Sequence, residues 1–352
     1  MTTSGTTSQT VVTVQNLIDS GARRAGKIAE TLTIEQVIAA KQSLYYVLSN
    51  LANMGIQYWK IVKLVVGTTP DDYVYSLPSA AVDVLNANYR TVTNVNSNPT
   101  SSSGAVVNAF DGQCTNICQL TTNTGYIQIN NGAGSPVYIS TVGILPAITG
   151  SVSANIQWSN DGTTWTTVYT VANDTWTTGQ WVYYELLASA TAVFWRILQT
   201  SGPNMGVYQV VFGTMPYAIP LARMNRDDYT NLPNRTFTNQ RPLQYWFNRS
   251  IPQPQMYVWP APNSYFTQFE VWYHSYIQDV GAVSGTLDIP QRWYLAVQDL
   301  LAFQMSRELP DVPPAKIAEC KALADESWRL AEQEERDKSP IFFAPNISPY
   351  TR

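Results

Sequence analysis

The stretch Ala154-Asn155-Ile156-Gln157-Trp158-Ser159-Asn160-Asp161-Gly162-Thr163-Thr164-Trp165 decides the fold of the middle of this 352-residue chain. Apolar and polar residues alternate from Ala154 to Trp158, the period-two mark of a strand with one buried face. Asp161-Gly162 then offers a tight turn, because both residue types tolerate the positive φ that short hairpins require. The same grammar recurs on either side. Tyr126-Ile127-Gln128-Ile129 and Trp181-Val182-Tyr183-Tyr184 are short apolar and aromatic runs, and Asn131-Gly132 and Thr178-Gly179 are turn signals between them. Several short strands at this spacing predict an antiparallel β-sandwich or jelly roll. The segments between them are too short for the helical crossovers of a parallel sheet.

Composition marks out the same region. From Asn94 to Met215 there are five charged residues: Asp111, Asp161, Asp174, Glu185 and Arg196. The whole chain is 13% charged, about half the usual share. A Ser/Asn/Pro-rich linker, Asn94 to Ser103, leads into the island. The formal net charge of -4 gives no global basic field to draw the protein to nucleic acid.

Outside the island the pattern changes to helical spacing. Leu17, Ile18, Ala22 and Ala25 form one stripe of a helix expected from Val14 to Lys27, with Arg23, Arg24 and Lys27 in its last turns. Thr33 with Gln36 makes a capping box for a second helix, along which Ile34, Val37, Ile38, Leu44, Tyr45, Leu48, Leu51 and Ala52 recur, with Gly55 as its stop. Trp59–Val66 reads as a strand and Val82–Tyr89 as a strand or short helix. Pro216–Gln255 reads as long irregular connection. Gln255–Pro260 and Thr267–Ile277 read as two strands of a hairpin around Pro262-Asn263-Ser264. A helix starts at Asp288-Ile289-Pro290 and carries Trp293, Val297, Leu300, Leu301 and Met305. After Pro310, Pro313 and Pro314 a last, strongly charged helix runs to about Lys338, with an apolar stripe of Ile317, Cys320, Leu323, Trp328 and Ala331. The first dozen residues read as a flexible arm.

The residues for chemistry are sparse. His274 is the single histidine and sits in an alternating aromatic strand, which argues against Ser-His-Asp and Cys-His sites. No Walker loop, dinucleotide fingerprint, HExxH or EF-hand spacing is present. The pairs Asp71-Asp72, Asp227-Asp228 and Glu334-Glu335 are adjacent carboxylates with nothing to raise a pKa. Cys114, Cys118 and Cys320 are an odd, sparse set that reads as reduced thiols, not a disulfide framework or a zinc site. There is no signal-peptide pattern and no run of about 18 apolar residues. The chain is therefore expected not to be an enzyme, to hold no cofactor and to avoid membranes. Eleven Trp and 21 Tyr suit both a β-core and interface anchors.

Two family resemblances follow from these motifs. The outer segments resemble head-to-tail adaptor proteins of short-tailed bacteriophages. The carriers are Leu17-Ile18, the helix from Thr33 to Asn53, Tyr75-Ser76-Leu77-Pro78, and Pro220-Leu221-Ala222-Arg223-Met224 with Asp228-Tyr229. They continue with Gln244-Tyr245-Trp246-Phe247, Tyr257-Val258-Trp259-Pro260-Ala261-Pro262 and Asp288-Ile289-Pro290-Gln291-Arg292-Trp293. The island resembles the galactose-binding-like, discoidin-type jelly roll. Its carriers are Ala109-Phe110-Asp111-Gly112, Gly125-Tyr126-Ile127-Gln128-Ile129, Ile156 to Gly162 with Thr164-Trp165, and Phe194-Trp195-Arg196-Ile197.

Together they imply an α+β chain. Its parts would be an arm (1–13), a discontinuous helical adaptor domain with small β elements (14–93 and 214–338), an inserted antiparallel jelly-roll sandwich (94–213) and an extended tail (339–352). The adaptor resemblance implies a ring, commonly of twelve copies, at the head-to-tail junction of a virion assembled in the host cytoplasm. Its partners would be the portal protein, neighbouring copies, and tail tube, nozzle or fibre proteins, with packaged DNA passing through unread. The candidate interface residues are Trp246, Arg249, Trp328, Ile341, Phe342, Phe343 and Tyr350. The alternative is a surface decoration or carbohydrate-binding role for the sandwich. The jelly-roll resemblance implies a buried Trp beside the Asp161 turn. Some members hold calcium near the position of Asp111, but the loop here has few acidic ligands.

Overall fold

The computed structural model describes residues 12–28, 32–53, 58–91, 93–187, 190–214, 217–264, 267–277 and 281–334. It divides into two units, one from Met1–Ile61 with Tyr276–Arg352 and one from Val62–Ser275.

The first unit is helical. Helix α1 (Val14–Arg24) opens on Thr13, whose hydroxyl accepts from the Asn16 N–H at 3.2 Å. Helix α2 (Ile34–Asn53) opens on the expected capping box: the Thr33 N–H donates to Gln36 Oε1 at 2.9 Å and the Gln36 N–H to Thr33 Oγ1 at 3.3 Å. Each bond satisfies an N–H that the first helical turn leaves unpaired. Helices α4 (Tyr294–Glu308) and α5 (Pro314–Glu334) come from the other end of the chain. Leu17 and Ile18 of α1, Leu44, Leu48 and Leu51 of α2, and Val297, Leu301 and Met305 of α4 bury one shared core. Arg24 pairs with the buried Asp299, and Lys60 with Asp288.

The second unit holds the sandwich, two four-stranded sheets and two two-stranded pairings. One sandwich sheet runs in the order Thr166–Trp176, Gly150–Ser159, Phe194–Ser201, Tyr126–Asn130, Thr100–Ser101. The facing sheet runs Val182–Glu185, Thr141–Pro146, Gly206–Gly213, Asn94–Val95, with Cys118–Gln119 also on Gly206–Gly213. All these pairings are antiparallel. Ile127, Ile129, Ile144, Val152, Ile156, Trp176, Trp195, Ile197 and Phe212 fill the space between the sheets. The island is therefore an all-β antiparallel jelly-roll sandwich, and the chain is α+β.

The flanks differ from expectation. Ala81–Thr91 precedes the sandwich and pairs with Tyr217–Pro220, which follows it, and with Thr267–Ser275. The segments on either side of the sandwich are thus joined by sheet hydrogen bonds in the β unit and do not belong to the helical one. The supposed irregular stretch before Gln255 contains the strand Gln244–Asn248 and helix α3 (Arg226–Thr230). Gln255–Trp259 and Thr267–Ser275 are both strands, but not a hairpin. The first pairs with Gln244–Asn248 and Val74–Ser76, the second with Ala81–Thr91. Gln255–Trp259 makes its hairpin with the strand just before it, Gln244–Asn248, and Thr267–Ser275 goes to the distant Ala81–Thr91. Each pairing joins matching buried faces: Tyr245, Phe247, Met256 and Val258 on one sheet, and Val84, Ala87, Tyr89, Phe269 and Val271 on the other.

Candidate binding surfaces

The five-stranded sheet presents an ordered row on its outer face. Register places Thr167, Gln157, Arg196, Gln128 and Thr100 side by side across all five strands. The Arg196 Nε–H donates to Gln157 Oε1 at 2.8 Å, and Gln157 Nε2 donates to Thr167 Oγ1 at 2.9 Å. The guanidinium lies 3.8 Å from the Trp165 ring centroid and 5.8 Å from that of Tyr126, a cation–π contact on each side. Phe194 meets Trp165 edge-on at 6.5 Å. Arg196 is the single Lys or Arg between Asn94 and Met215. Trp165 is half-buried on this face, whereas the tryptophans of the core are Trp176 and Trp195. The buried tryptophan implied at this turn is corrected accordingly: the strand starting at Thr166 leaves Trp165 beside Arg196 and outside the sandwich interior.

The turn before Trp165 is held firmly. The Asp161 carboxylate accepts the N–H groups of Thr164 (2.7 Å) and Thr163 (2.8 Å) and the Ser159 hydroxyl (2.8 Å). These donors, the Thr164 N–H foremost, hold its pKa far below the usual carboxylate range. Ser159 Oγ accepts in turn from the Gly162 N–H at 2.9 Å.

The Asp111 loop does not fit a calcium ion. Burial raises the Asp111 pKa. Donation from Asn116 (2.7 Å), the Gln113 N–H (2.7 Å) and Gln209 (2.6 Å) outweighs it and leaves the group below its ordinary value. N–H donors thus already occupy the oxygens a cation would need. Among the described residues no three His, Cys, Asp or Glu gather as metal ligands. Cys114, Cys118 and Cys320 form no disulfide with one another, and His274 is buried.

Of the interface residues expected from sequence, three lie in the described structure. Trp246 is half-buried between Tyr257, stacked at 4.8 Å, and Tyr229 of α3, at 5.2 Å. Arg249 pairs with Asp83 at 3.0 Å, while Arg223 holds the other oxygen of that carboxylate at 2.8 Å. Trp328 of α5 meets Trp293 edge-on at 5.1 Å, and Trp293 meets Trp59 at 5.3 Å. Trp246 and Arg249 belong to the β unit and Trp328 to the helical one. Ile341, Phe342, Phe343 and Tyr350 lie outside the described residues.

The helical unit carries a surface that the sequence reading merged with its core. On α2, Leu44, Leu48 and Leu51 are buried, while Ile34, Ile38 and Tyr45 are 81%, 60% and 46% exposed. At 100° per residue those three fall within about 40° of one another, and their arc runs directly on from that of the leucines to make one stripe about 140° wide. The core covers the leucine part of this arc and leaves the rest in water, a division that helical angles alone do not mark.

No protein-family model and no curated protein matches the sequence. Solved structures similar to part of the chain include chitosan-binding module 1 of a Paenibacillus chitosanase/glucanase. That module is 24% identical over 36% of this chain and 98% of its own, with a TM-score of 0.29. A family 32 carbohydrate-binding module produced by Clostridium perfringens is 18% identical over 33% of this chain and 92% of its own, TM-score 0.29. A family 62 module of Clostridium thermocellum is 16% identical over 35% and 98%, TM-score 0.31. The jelly-roll assignment made above rests on the strand pairing of this chain.

Proposed function

We propose that this chain is a non-catalytic structural protein that carries a carbohydrate-binding β-sandwich on a helical assembly unit. The observation that carries the first half is the outer-face row: Gln128, Gln157 and Arg196 set among Tyr126, Trp165 and Phe194. Aromatic faces take the apolar C–H side of a sugar ring, and amides and a guanidinium take its hydroxyls. Locked turns at Asp161 and the bonds among Arg196, Gln157 and Thr167 fix this chemistry before any ligand arrives, which lowers the ordering cost of binding. The test is a glycan array probed with the full-length protein, followed by Gln128→Ala and Tyr126→Ala. Array binding that weakens in both variants supports the reading. A blank array, or binding indifferent to both, removes it.

The second reading is the head-to-tail adaptor, in which copies form a ring beneath a phage portal and receive the tail. The exposed stripe Ile34, Ile38 and Tyr45 on α2 favours it. A stripe of large apolar residues in water gains free energy when a neighbour covers it. Electron microscopy of the protein mixed with its phage's portal decides the matter: a regular ring capping the portal supports the adaptor, and bare portals beside monomers refute it. The two readings are compatible, since one concerns the sandwich and the other the helices.

A further inference from the structure

We propose that an open seam in the β unit is the docking site for an extended, basic peptide segment of a partner protein, which enters it as an added strand. One four-stranded sheet of this unit runs in the order Ile61–Gly67, Thr267–Ser275, Ala81–Thr91, Tyr217–Pro220. The other runs Ala222–Arg223, Gln244–Asn248, Gln255–Trp259, Val74–Ser76. Leu221 alone separates Tyr217–Pro220 from Ala222–Arg223. Its N–H donates to the Ala87 carbonyl, and the Ala222 N–H donates to that of Leu243. The chain thus steps directly from one sheet into the other, and both enclose one core that includes Leu77, Tyr89, Phe247, Met256 and Phe269. The two sheets make an incomplete barrel, whose gap lies between Ile61–Gly67 and Val74–Ser76, the end strands of the two orders.

A groove of about 500 Å³ opens at this gap, lined by the consecutive residues 64–67 on one side and 74–78 on the other. A sheet face would contribute every second residue, whereas an unbroken run is what a strand edge offers. Hydrogen bonds fix which main-chain groups look into it. The Leu77 N–H donates to the Pro254 carbonyl and the Val258 N–H to the Tyr73 carbonyl. Residues 73, 75 and 77 therefore turn their main-chain groups to the strand Gln255–Trp259, and alternation turns those of Val74 and Ser76 outward. The Val74 N–H is met by Asp72 Oδ1 at 3.4 Å, which leaves the Val74 carbonyl and both groups of Ser76. Across the gap the Thr68 N–H donates to the Thr267 carbonyl, so Val65 and Gly67 turn theirs outward. Such rows are a template for the backbone of another chain, and closure is the arrangement that removes edges altogether. Residues 64–67 span about 10 Å at 3.3 Å per residue, room for a short extended stretch. Trp181, stacked on Tyr183 at 5.4 Å and packed directly on Gly67, gives the groove an aromatic wall. Asp72 is the one charged residue of the lining and is exposed, which selects a basic side chain in the incoming strand. The inference does not depend on either functional reading.

The test uses the full-length protein and a fluorescein-labelled short peptide of alternating threonine and valine with a central lysine, followed by fluorescence anisotropy. The peptide is expected to bind. Glutamate in place of its lysine should weaken binding about fivefold, and N-methylation of every second amide should abolish it, because such a strand cannot pair on both sides. Asp72→Lys should reverse the preference between the lysine and glutamate peptides. Ser76→Pro, which removes an outward N–H and no ladder bond, should weaken binding while the circular dichroism spectrum stays unchanged. A lysine peptide that does not bind overturns the proposal. Binding indifferent to N-methylation, or a charge preference that Asp72→Lys leaves unmoved, overturns it equally.

Discussion

Glu185 and Glu270 meet Lys63 and Arg90 in one cluster: Lys63 Nζ lies 2.6 Å from Glu185 and 3.3 Å from Glu270, and Arg90 lies 3.1 Å from Glu270. Burial raises both carboxyl pKa values. Hydrogen bonds and charge outweigh it, from Lys63 and Arg90 at Glu185, and from Trp272, Asn88, Arg90 and Lys63 at Glu270, so both end below the ordinary value. A group with a depressed folded pKa stabilises above its unfolded pKa and loses that contribution as pH falls through the folded one. Acid titration of the native protein should therefore show a loss of stability beginning below about pH 4.3, the unperturbed glutamate value. Glu270→Gln should shrink that acid slope in denaturant melts taken at several pH values. An identical slope would mean that the cluster contributes nothing. A second residue-scale prediction concerns Gly202, which holds φ +104 with the Ser151 carbonyl oxygen 2.5 Å from where a Cβ would sit. Gly202→Ala combines a disfavoured backbone with a clash against main chain, and should cost roughly 1–3 kcal/mol in chemical denaturation.

Helix starts, turns and alternation were legible wherever the determining contacts are local. Thr33 and Gln36 sit three residues apart, so their capping box could be read directly, and Thr33→Ala should lower stability by about 1 kcal/mol in thermal melts. The Asp161-Gly162 hairpin was readable for the same reason. Partner choice among strands was not legible. Gln255–Trp259 and Thr267–Ser275 look like neighbours along the chain, yet the first makes its hairpin with the strand before it and the second pairs with one far upstream, and no local signal encodes which buried face fits which. The Trp165–Arg196 contact was likewise invisible, because it joins two strands through sheet register, although both residues stood out in the sequence. On α2 the spacing marks one continuous stripe, and which part of it the core covers was not legible: Ile34, Ile38 and Tyr45 stay exposed while Leu44 and Leu48 are buried. Ile38→Lys and Tyr45→Lys should leave the melting temperature nearly unchanged, since neither position is in the core, and should abolish any self-association seen by analytical ultracentrifugation. A large drop in melting temperature would show that the stripe is internal packing after all.

At the scale of the molecule, the sequence's division into outer segments and a central island was half visible. Composition marks the island sharply, because charge nearly vanishes between Asn94 and Met215. It says nothing about Val62–Thr91 or Tyr217–Ser275, whose residue mix resembles that of the helices but whose strands pair across the island. The resulting helical unit takes its material from both ends of the chain. A version lacking residues 276–352 should therefore keep the β unit's cooperative near-ultraviolet transition, while α1 and α2 lose protection in hydrogen exchange for want of α4. The same architecture sets a timetable during synthesis. α1 and α2 leave the ribosome first, but α4, which completes their core, is translated only after every strand of the β unit. At about 5–20 residues per second that delay is on the order of 10–50 s. For that interval Leu17, Ile18, Leu44 and Leu48 lack the part of their core that α4 supplies, and the newborn chain must pass its most adhesive moments with these two helices waiting for a third.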